Sequence, residues 1–397
     1  MKWPKVPLRE VAPPKASTQP FPDSFVWHLS LEQIEGDTGV VLVKNYDYPT
    51  NAGTSTFFFD TGNVLYSKLR PYLNKVVIPD EPGIATTELI PLRPDPKVLN
   101  PRYLAFYLLS PNFVKQASHH VTGAKMPRVV MDWFWKHKIP LPPLSEQKRV
   151  VEILDEADRI WKLRREANQK GERIIPALFL KMFGDPATNP RGWPTKLFAD
   201  IFRDTTAGNK KLQSKQFLEF GRIAVVDQGQ SQIAGYTDDV ALAYKGTFPV
   251  IVFGDHTRIF KFVDHPFVLG ADGVRVLITK PTFNPLFAYW HCQLLNIPIA
   301  GYSRHFKFLK GKLFMCPDRR LQDRFANFAS IVTSQISALE NSVDRVERLF
   351  SVMLDRVFSG KLTANWRKAH MKELLAEIKA QARLLNIPES KLEEIFQ

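Results

Sequence analysis

The 397 residues exceed what one ordinary core holds, since single domains stop near ~250–300 residues, so more than one domain is expected. With 44% hydrophobic and 24% charged residues the chain reads as globular, which excludes fibrous and disordered classes. The formal net charge of +14 is unevenly carried: residues 1–142 hold sixteen Lys and Arg against twelve Asp and Glu, residues 186–317 sixteen against nine, and the stretches between and after are nearly balanced. Clustered positive charge points to a polyanionic partner, whereas a solubility bias spreads evenly.

In chain order, the start MKWPKVPLREVAPP lacks the apolar stretch of a signal peptide, and no apolar run reaches the ~18–20 residues that cross a bilayer. Cys292 and Cys316, the only cysteines, are too few for a disulfide framework, so a reducing interior is expected. Strand-like runs at 40–43, 56–59 and 76–79 and a helix at 101–110 make a first mixed block. Runs at 222–226, 249–253 and 274–279 and a helix at 285–295 make a second; both helices open on proline, which suits a first helical turn. The stretch KELLAEIKAQARLLNIPESKLEEIF reads as an amphipathic closing helix with Leu374, Leu375, Ile378, Ala382 and Leu385 on one side.

The chain repeats itself. Shifting residues 141–185 by 175 positions lays LPPLSEQKRVVEILDEADRIWKLRREANQKGERIIPALFLKMFGD on CPDRRLQDRFANFASIVTSQISALENSVDRVERLFSVMLDRVFSG without a gap. Pro142 then meets Pro317, Gln147 meets Gln322, Arg149 meets Arg324 and Phe183 meets Phe358. In the second copy, ten apolar residues from Phe325 to Val357 alternate steps of four and three, a heptad seam that requires a partner helix. The first copy interrupts its seam with Arg164, Asn168 and Gly171, and Gly171 with Pro176 is expected to weaken or kink the helix.

Each copy is the other's nearest partner. The expected fold is therefore α/β (α+β): two similar blocks, 1–142 and 186–317, separated by two long helices, 143–185 and 318–360, that pair as an antiparallel coiled coil, with a helical tail at 361–397. The architecture is an internal duplication. The seam is read as Leu154, Trp161, Ile175, Leu178, Val332, Ile336, Leu339, Val343, Val346 and Phe350.

No engine is legible. There is no G-x-x-x-x-G-K-[ST] phosphate loop, no Asn-Pro-Pro-aromatic methylation motif and no H-E-x-x-H pair. His256, His265, His291 and Cys292 lack metal-ligand spacing, so no metal site and no catalytic residue are expected.

PLPPLSEQKR (140–149) running into a long charged helix that closes with LFLKMFGDP (178–186) strongly resembles the central conserved region of the specificity subunit of type I restriction–modification enzymes. LRPYLNK (69–75), VVDQGQSQIAGYT (225–237) and FSGKLTANWR (358–367) resemble further segments of that family, and the resemblance covers residues 1–367. It implies two target-recognition domains, each reading half of an asymmetric, bipartite site on double-stranded DNA, held apart by the two helices. It implies a non-catalytic subunit with no cofactor of its own, cytoplasmic and nucleoid-associated when bound to DNA. Two methylation subunits using S-adenosylmethionine, and restriction subunits using ATP and Mg²⁺, are the implied partners; no membrane is. CPDRRLQDR in place of LPPLSEQKR departs from the family pattern, and residues 368–397 extend past its usual end. The alternatives are a self-contained DNA-modifying or DNA-cleaving enzyme with an unrecognised active site, and a transcription regulator.

Candidate DNA contacts are basic residues for phosphates and side chains that reach base edges. In the first block these are Lys68, Arg70 and Lys75 around a Pro-Tyr turn, and Lys125 and Arg128 in TGAKMPR, with no acid close by in sequence. In the second they are Arg304, His305 and Lys307 in GYSRHFK, which matches TGAKMPR in place, then Gln228, Gln230, His256 and Arg258. A solvated hairpin or a basic turn before a buried strand would look the same. Arg159, Arg164, Arg165 and Arg173, alternating with acids, make a charged helix face suited to solvent or to a methylation subunit.

Overall fold

The computed structural model of the chain describes residues 3–18, 25–270, 273–299 and 304–385, except the side chains of 339–345 and 347. It is a mixed helix-and-strand fold of two compact units, Met1–Arg164 with Val343–Gln397, and Arg165–Ser342. The division falls inside two long helices, Leu144–Glu172 and Arg319–Phe358, so each unit contains part of both.

In the first unit, Val26–Leu29 pairs antiparallel with Asn45–Asp47 and parallel with Gly83–Thr86, which in turn pairs with Thr56–Phe59. A second sheet sets Val64–Ser67 between Val76–Val77 and Leu89–Leu92, all antiparallel. In the second unit, Ile223–Val226 pairs antiparallel with Gly235–Thr237 and parallel with Phe267–Gly270, the pattern of Val26–Leu29. Its other sheet sets Val250–Gly254 between Phe260–Val263 and Val274–Thr279, again antiparallel, with Phe202–Asp204 on the far edge.

Residues 40–43 form no strand. Val41 makes an isolated bridge to Ile34, Leu42 and Val43 are exposed, and the paired edge lies at Asn45–Asp47. Apolar β-formers become a strand only where a neighbour accepts their backbone bonds.

The block helices start on capped ends. Asn100 accepts hydrogen bonds from the N–H groups of Arg102 (2.8 Å) and Tyr103 (3.3 Å), and Asn284 from those of Leu286 (2.9 Å) and Phe287 (3.2 Å). A proline follows each cap, where no intrahelical donor is missed.

The first unit's core draws in both long helices, and the second unit's core draws in Arg319–Phe358 together with the helix Ile174–Phe183. Val150 and Leu154 share the first core with Leu354 and Val357, and Phe350 packs against it from the side. In the second core, Phe179 and Phe183 meet Phe325 at ring distances of 5.3 and 5.7 Å, beside Ile175 and Ala329, with Leu178 and Val332 at the margin. Each fully buried Phe contributes about 1.5–3 kcal/mol by leaving water. Trp161 and Val346 are half-buried; the side chains of Leu339 and Val343 lie outside the described residues.

The first long helix stops at Glu172 and a shorter helix, Ile174–Phe183, resumes after Arg173. Pro176 falls in the first turn of that shorter helix, where an absent N–H leaves no bond unmade. Gly171 is buried, and a Cβ there would lie 3.4 Å from Ile336 Cγ1.

Candidate nucleic-acid interface

In the first unit the fold brings two candidate loops together. Arg70 donates its N–H to the Pro127 carbonyl (2.7 Å) and Val129 donates to that of Lys68 (2.9 Å), so the turn 68–75 lies against the hairpin 122–128. Arg70 sits at φ +49 and is exposed, as are Lys125, Tyr72 and Met126; Lys68 is half-buried. Arg128 grips Glu88, 40 positions away, with its Nη2 at 2.6 Å and Nε at 3.1 Å from the carboxylate, and holds that carboxyl below its usual range. Local spacing hides this partner, because Glu88 arrives from a different strand end. The Lys75 ammonium donates to the Leu31 carbonyl at 2.7 Å.

In the second unit four loops converge at the strand ends. The Asp255 carbonyl accepts the His305 N–H (2.8 Å) and also faces His305 Nδ1 (2.9 Å), while the Asp255 carboxylate accepts the Phe306 N–H (2.7 Å). This ties the turn 255–258 to the segment 304–307, the same pairing of loops as in the first unit. Gln228 Oε1 accepts the His256 N–H (3.2 Å) and the Gln228 carbonyl accepts the Thr257 hydroxyl (2.6 Å), adding the loop 227–232. Gly273, at φ +90, completes the cluster: a Cβ there would lie 2.7 Å from Gln228 Oε1 and 2.8 Å from His256 Cδ2, so only glycine allows the approach.

The candidate side chains divide by role. Gln230, His256, Arg304 and Lys307 are exposed on this cluster. His305 is buried and Gln228 half-buried, both engaged with their own loops. Arg258, at φ +65, donates Nη1 to the Ile297 carbonyl at 3.0 Å. Sequence reasoning missed Lys261, whose side chain is 2% exposed and donates to the Ser231 carbonyl at 2.6 Å and to Asp227 Oδ1 at 3.3 Å. The alternation in FKFV alone does not single it out.

The charged helix face is partly self-paired: Arg159 holds Glu156 at 2.6 Å and Arg102 reaches Asp155. Among the described residues, no three His, Cys, Asp or Glu side chains are placed to hold a metal, and no helix is long and apolar enough to cross a membrane.

Residues 36–172 match the family described as the type I restriction modification DNA specificity domain. The chain is 25% identical over 180 residues to the type I restriction enzyme EcoDI specificity subunit of Escherichia coli, covering 44% of this chain and 39% of that protein. It is 41% identical over 70 residues to the EcoAI specificity subunit of the same organism, covering 17% of this chain and 12% of the relative. The matched stretches thus span well under half of those relatives. The fold is shared with a type I restriction–modification S subunit from M. genitalium, with a TM-score of 0.57 at 13% identity over 90% of this chain and 96% of that one. Residues 36–172, most of the first block and the first long helix, thus resemble the type I restriction modification DNA specificity domain, and the fold of the chain is shared almost end to end with that S subunit.

Proposed function

We propose that the chain is the DNA sequence-recognition subunit of a type I restriction–modification complex. Residues 1–142 and 186–317 act as two target-recognition domains, each reading one half of a bipartite, asymmetric site. The long helices pair antiparallel as a spacer of duplicated origin. At ~1.5 Å per residue, a helix of about 34 residues spans roughly 50 Å. The observation that carries this reading is the recurrence, in both units, of a hairpin turn tied to a following basic segment, with exposed Arg70 and Lys125 in one and His256, Arg304 and Lys307 in the other. Lys and Arg displace counterions from phosphates, and Gln230 and His256 are of the right kind to bond base edges.

Methylation and restriction subunits supply the chemistry with S-adenosylmethionine, ATP and Mg²⁺; this chain contributes no catalytic group. Two methylation subunits dock on the exposed faces of the helices. A gel-shift on random duplexes, with methylation subunits supplied, is expected to select one split motif, and no preference among duplexes sinks the proposal. Exchanging residues 1–142 for another such block should change one half-site only. Methyl transfer or DNA nicking by the purified chain alone would instead establish an enzyme.

A further inference from the structure

We propose that Lys261 is a positioning residue for sequence choice by the second unit, its ammonium fixing the loop 227–232 in the shape from which Gln230 and His256 reach bases. The inference rests on the DNA-reading function proposed above.

Lys261 sits on the strand Phe260–Val263, flanked by the buried Phe260 and the half-buried Phe262. An ammonium placed there is costly unless partnered, and burial lowers its pKa while the Asp227 carboxylate opposes that shift. An apolar side chain would fill the position at less cost, so the lysine's return lies in what it holds. It holds both ends of one loop: Asp227 Oδ1, which also accepts the Gly229 N–H at 2.8 Å, and the Ser231 carbonyl. Between those anchors the Gln228 carbonyl takes the Thr257 hydroxyl, and beyond them Gln232 Nε2 reaches the Phe262 carbonyl at 2.9 Å. Gln230 is left exposed at the crest.

The first unit uses the same device. Lys75 donates to the Leu31 carbonyl in the turn after Val26–Leu29, the strand paired as Ile223–Val226 is. The two loops share little sequence, SLEQ against DQGQSQ, yet each is pinned by a lysine at a main-chain oxygen. A carbonyl acceptor is independent of side-chain identity. Such a pin therefore fixes the loop's path whatever side chains the loop carries.

The test titrates the full chain, with methylation subunits, against its selected duplex, duplexes altered in either half-site, and an unrelated duplex. Lys261→Met is expected to lose about tenfold discrimination at the half-site of the second unit, with the other half-site and non-specific affinity within about twofold. Lys261→Arg should recover much of it, and Lys75→Met should give the mirror result. Unchanged discrimination in Lys261→Met overturns the inference, as does an equal fall on every duplex. Should Lys261→Met fail to fold, Thr257→Val removes a tie to the same loop from outside the core; it must weaken the same half-site, and no effect there overturns the proposal. A wild-type chain that discriminates neither half-site overturns the DNA-reading function itself, which separates the two failures.

Discussion

The two long helices begin alike and are fastened differently. At the first start, Gln147 accepts the Asn100 N–H (2.8 Å) and donates to the Pro142 (2.8 Å) and Val98 (2.9 Å) carbonyls. At the second, Gln322 accepts the Asn284 N–H (2.9 Å) and donates to the Pro317 carbonyl (2.9 Å). Both side chains are buried. Beside Gln147 lies Glu146, 0% exposed, which accepts from the Trp3 indole (2.9 Å), the Thr363 hydroxyl (2.6 Å) and Arg367 Nε (2.8 Å). The residue 175 positions on is Leu321. The closing helix Met371–Leu384 adds Glu377 on the Ser145 N–H (3.0 Å) and Gln381 on the Val98 carbonyl (3.0 Å). The glutamine answers backbone groups that any such junction buries. The carboxylate belongs only where a returning segment brings a cation to it.

The comparison breaks most sharply at Arg367. Its guanidinium also donates to the Gly360 carbonyl (2.8 Å) and lies over the Trp3 ring at 4.9 Å. Arg367→Met leaves Glu146 buried without its cation and is expected to cost about 3–5 kcal/mol in urea unfolding of the first unit. Adding Glu146→Leu, which copies Leu321, should recover most of that loss, because a buried pair exchanged for apolar residues is often close to neutral. A single variant costing under about 1 kcal/mol, on the scale of surface pairs, would remove Glu146 from the account.

The glutamines sharpen the shared part. Gln147→Ala and Gln322→Ala each strand a buried N–H and at least one carbonyl, at about 1–3 kcal/mol per stranded group. The two losses should be similar, since the Val98 carbonyl that Gln147→Ala also releases keeps the Gln381 amide. Hydrogen exchange at the Asn100 and Asn284 amides reads each loss in its own unit, and equal protection in variant and parent would refute the assignment.

Acid separates the strands that precede the two starts. Lys138–Pro140 is held by the Tyr103 hydroxyl, which donates to the Pro140 carbonyl at 3.0 Å and stays neutral, burial having pushed its pKa far up. Leu313–Met315 is held by His291, whose Nε2 accepts the Met315 N–H at 3.0 Å and whose pKa burial pushes down to about 3. Above pH ~6.5 the imidazole is neutral in both folded and unfolded chains. Below it the unfolded chain takes a proton that the folded one refuses, so stability falls by about 1.4 kcal/mol per pH unit, about 2 kcal/mol by pH 5. His137, in the first unit, is pushed down to about 4 and acts with the same sign. His291→Gln keeps an acceptor for Met315 and should remove His291's share of the slope between pH 7 and 5, leaving that of His137 in the first unit; an unchanged slope would acquit His291.

What the residues disclose in advance is what repeats or alternates. The 175-residue shift pairs Gln147 with Gln322, and these make matching bonds. The period of four and three picks out Phe325, Ala329 and Val357, all buried. Partners distant in sequence leave no such trace: Arg367 and Glu146 stand 221 positions apart, and Lys261 meets Ser231 across 30. Exposed side chains such as Gln230 and Lys125 obey no packing constraint, so residue type alone nominates them.

The smallest effect tests the place where the first helix departs from its own seam. Gly171 stands where the repeat sets Val346, and its position faces Ile336 within the second unit. A Cβ there would meet Ile336 Cγ1 at 3.4 Å and Cδ1 at 3.7 Å, ordinary contact distances. Gly171→Ala therefore fits, and it lowers the entropy of the unfolded chain, so a gain of up to about 1 kcal/mol is expected. Gly171→Leu cannot fit without moving Ile336 and should destabilise. Urea midpoints for the two variants must move in opposite directions. If alanine destabilises as leucine does, the glycine is kept for its backbone, and the close approach to Ile336 is not what selects it.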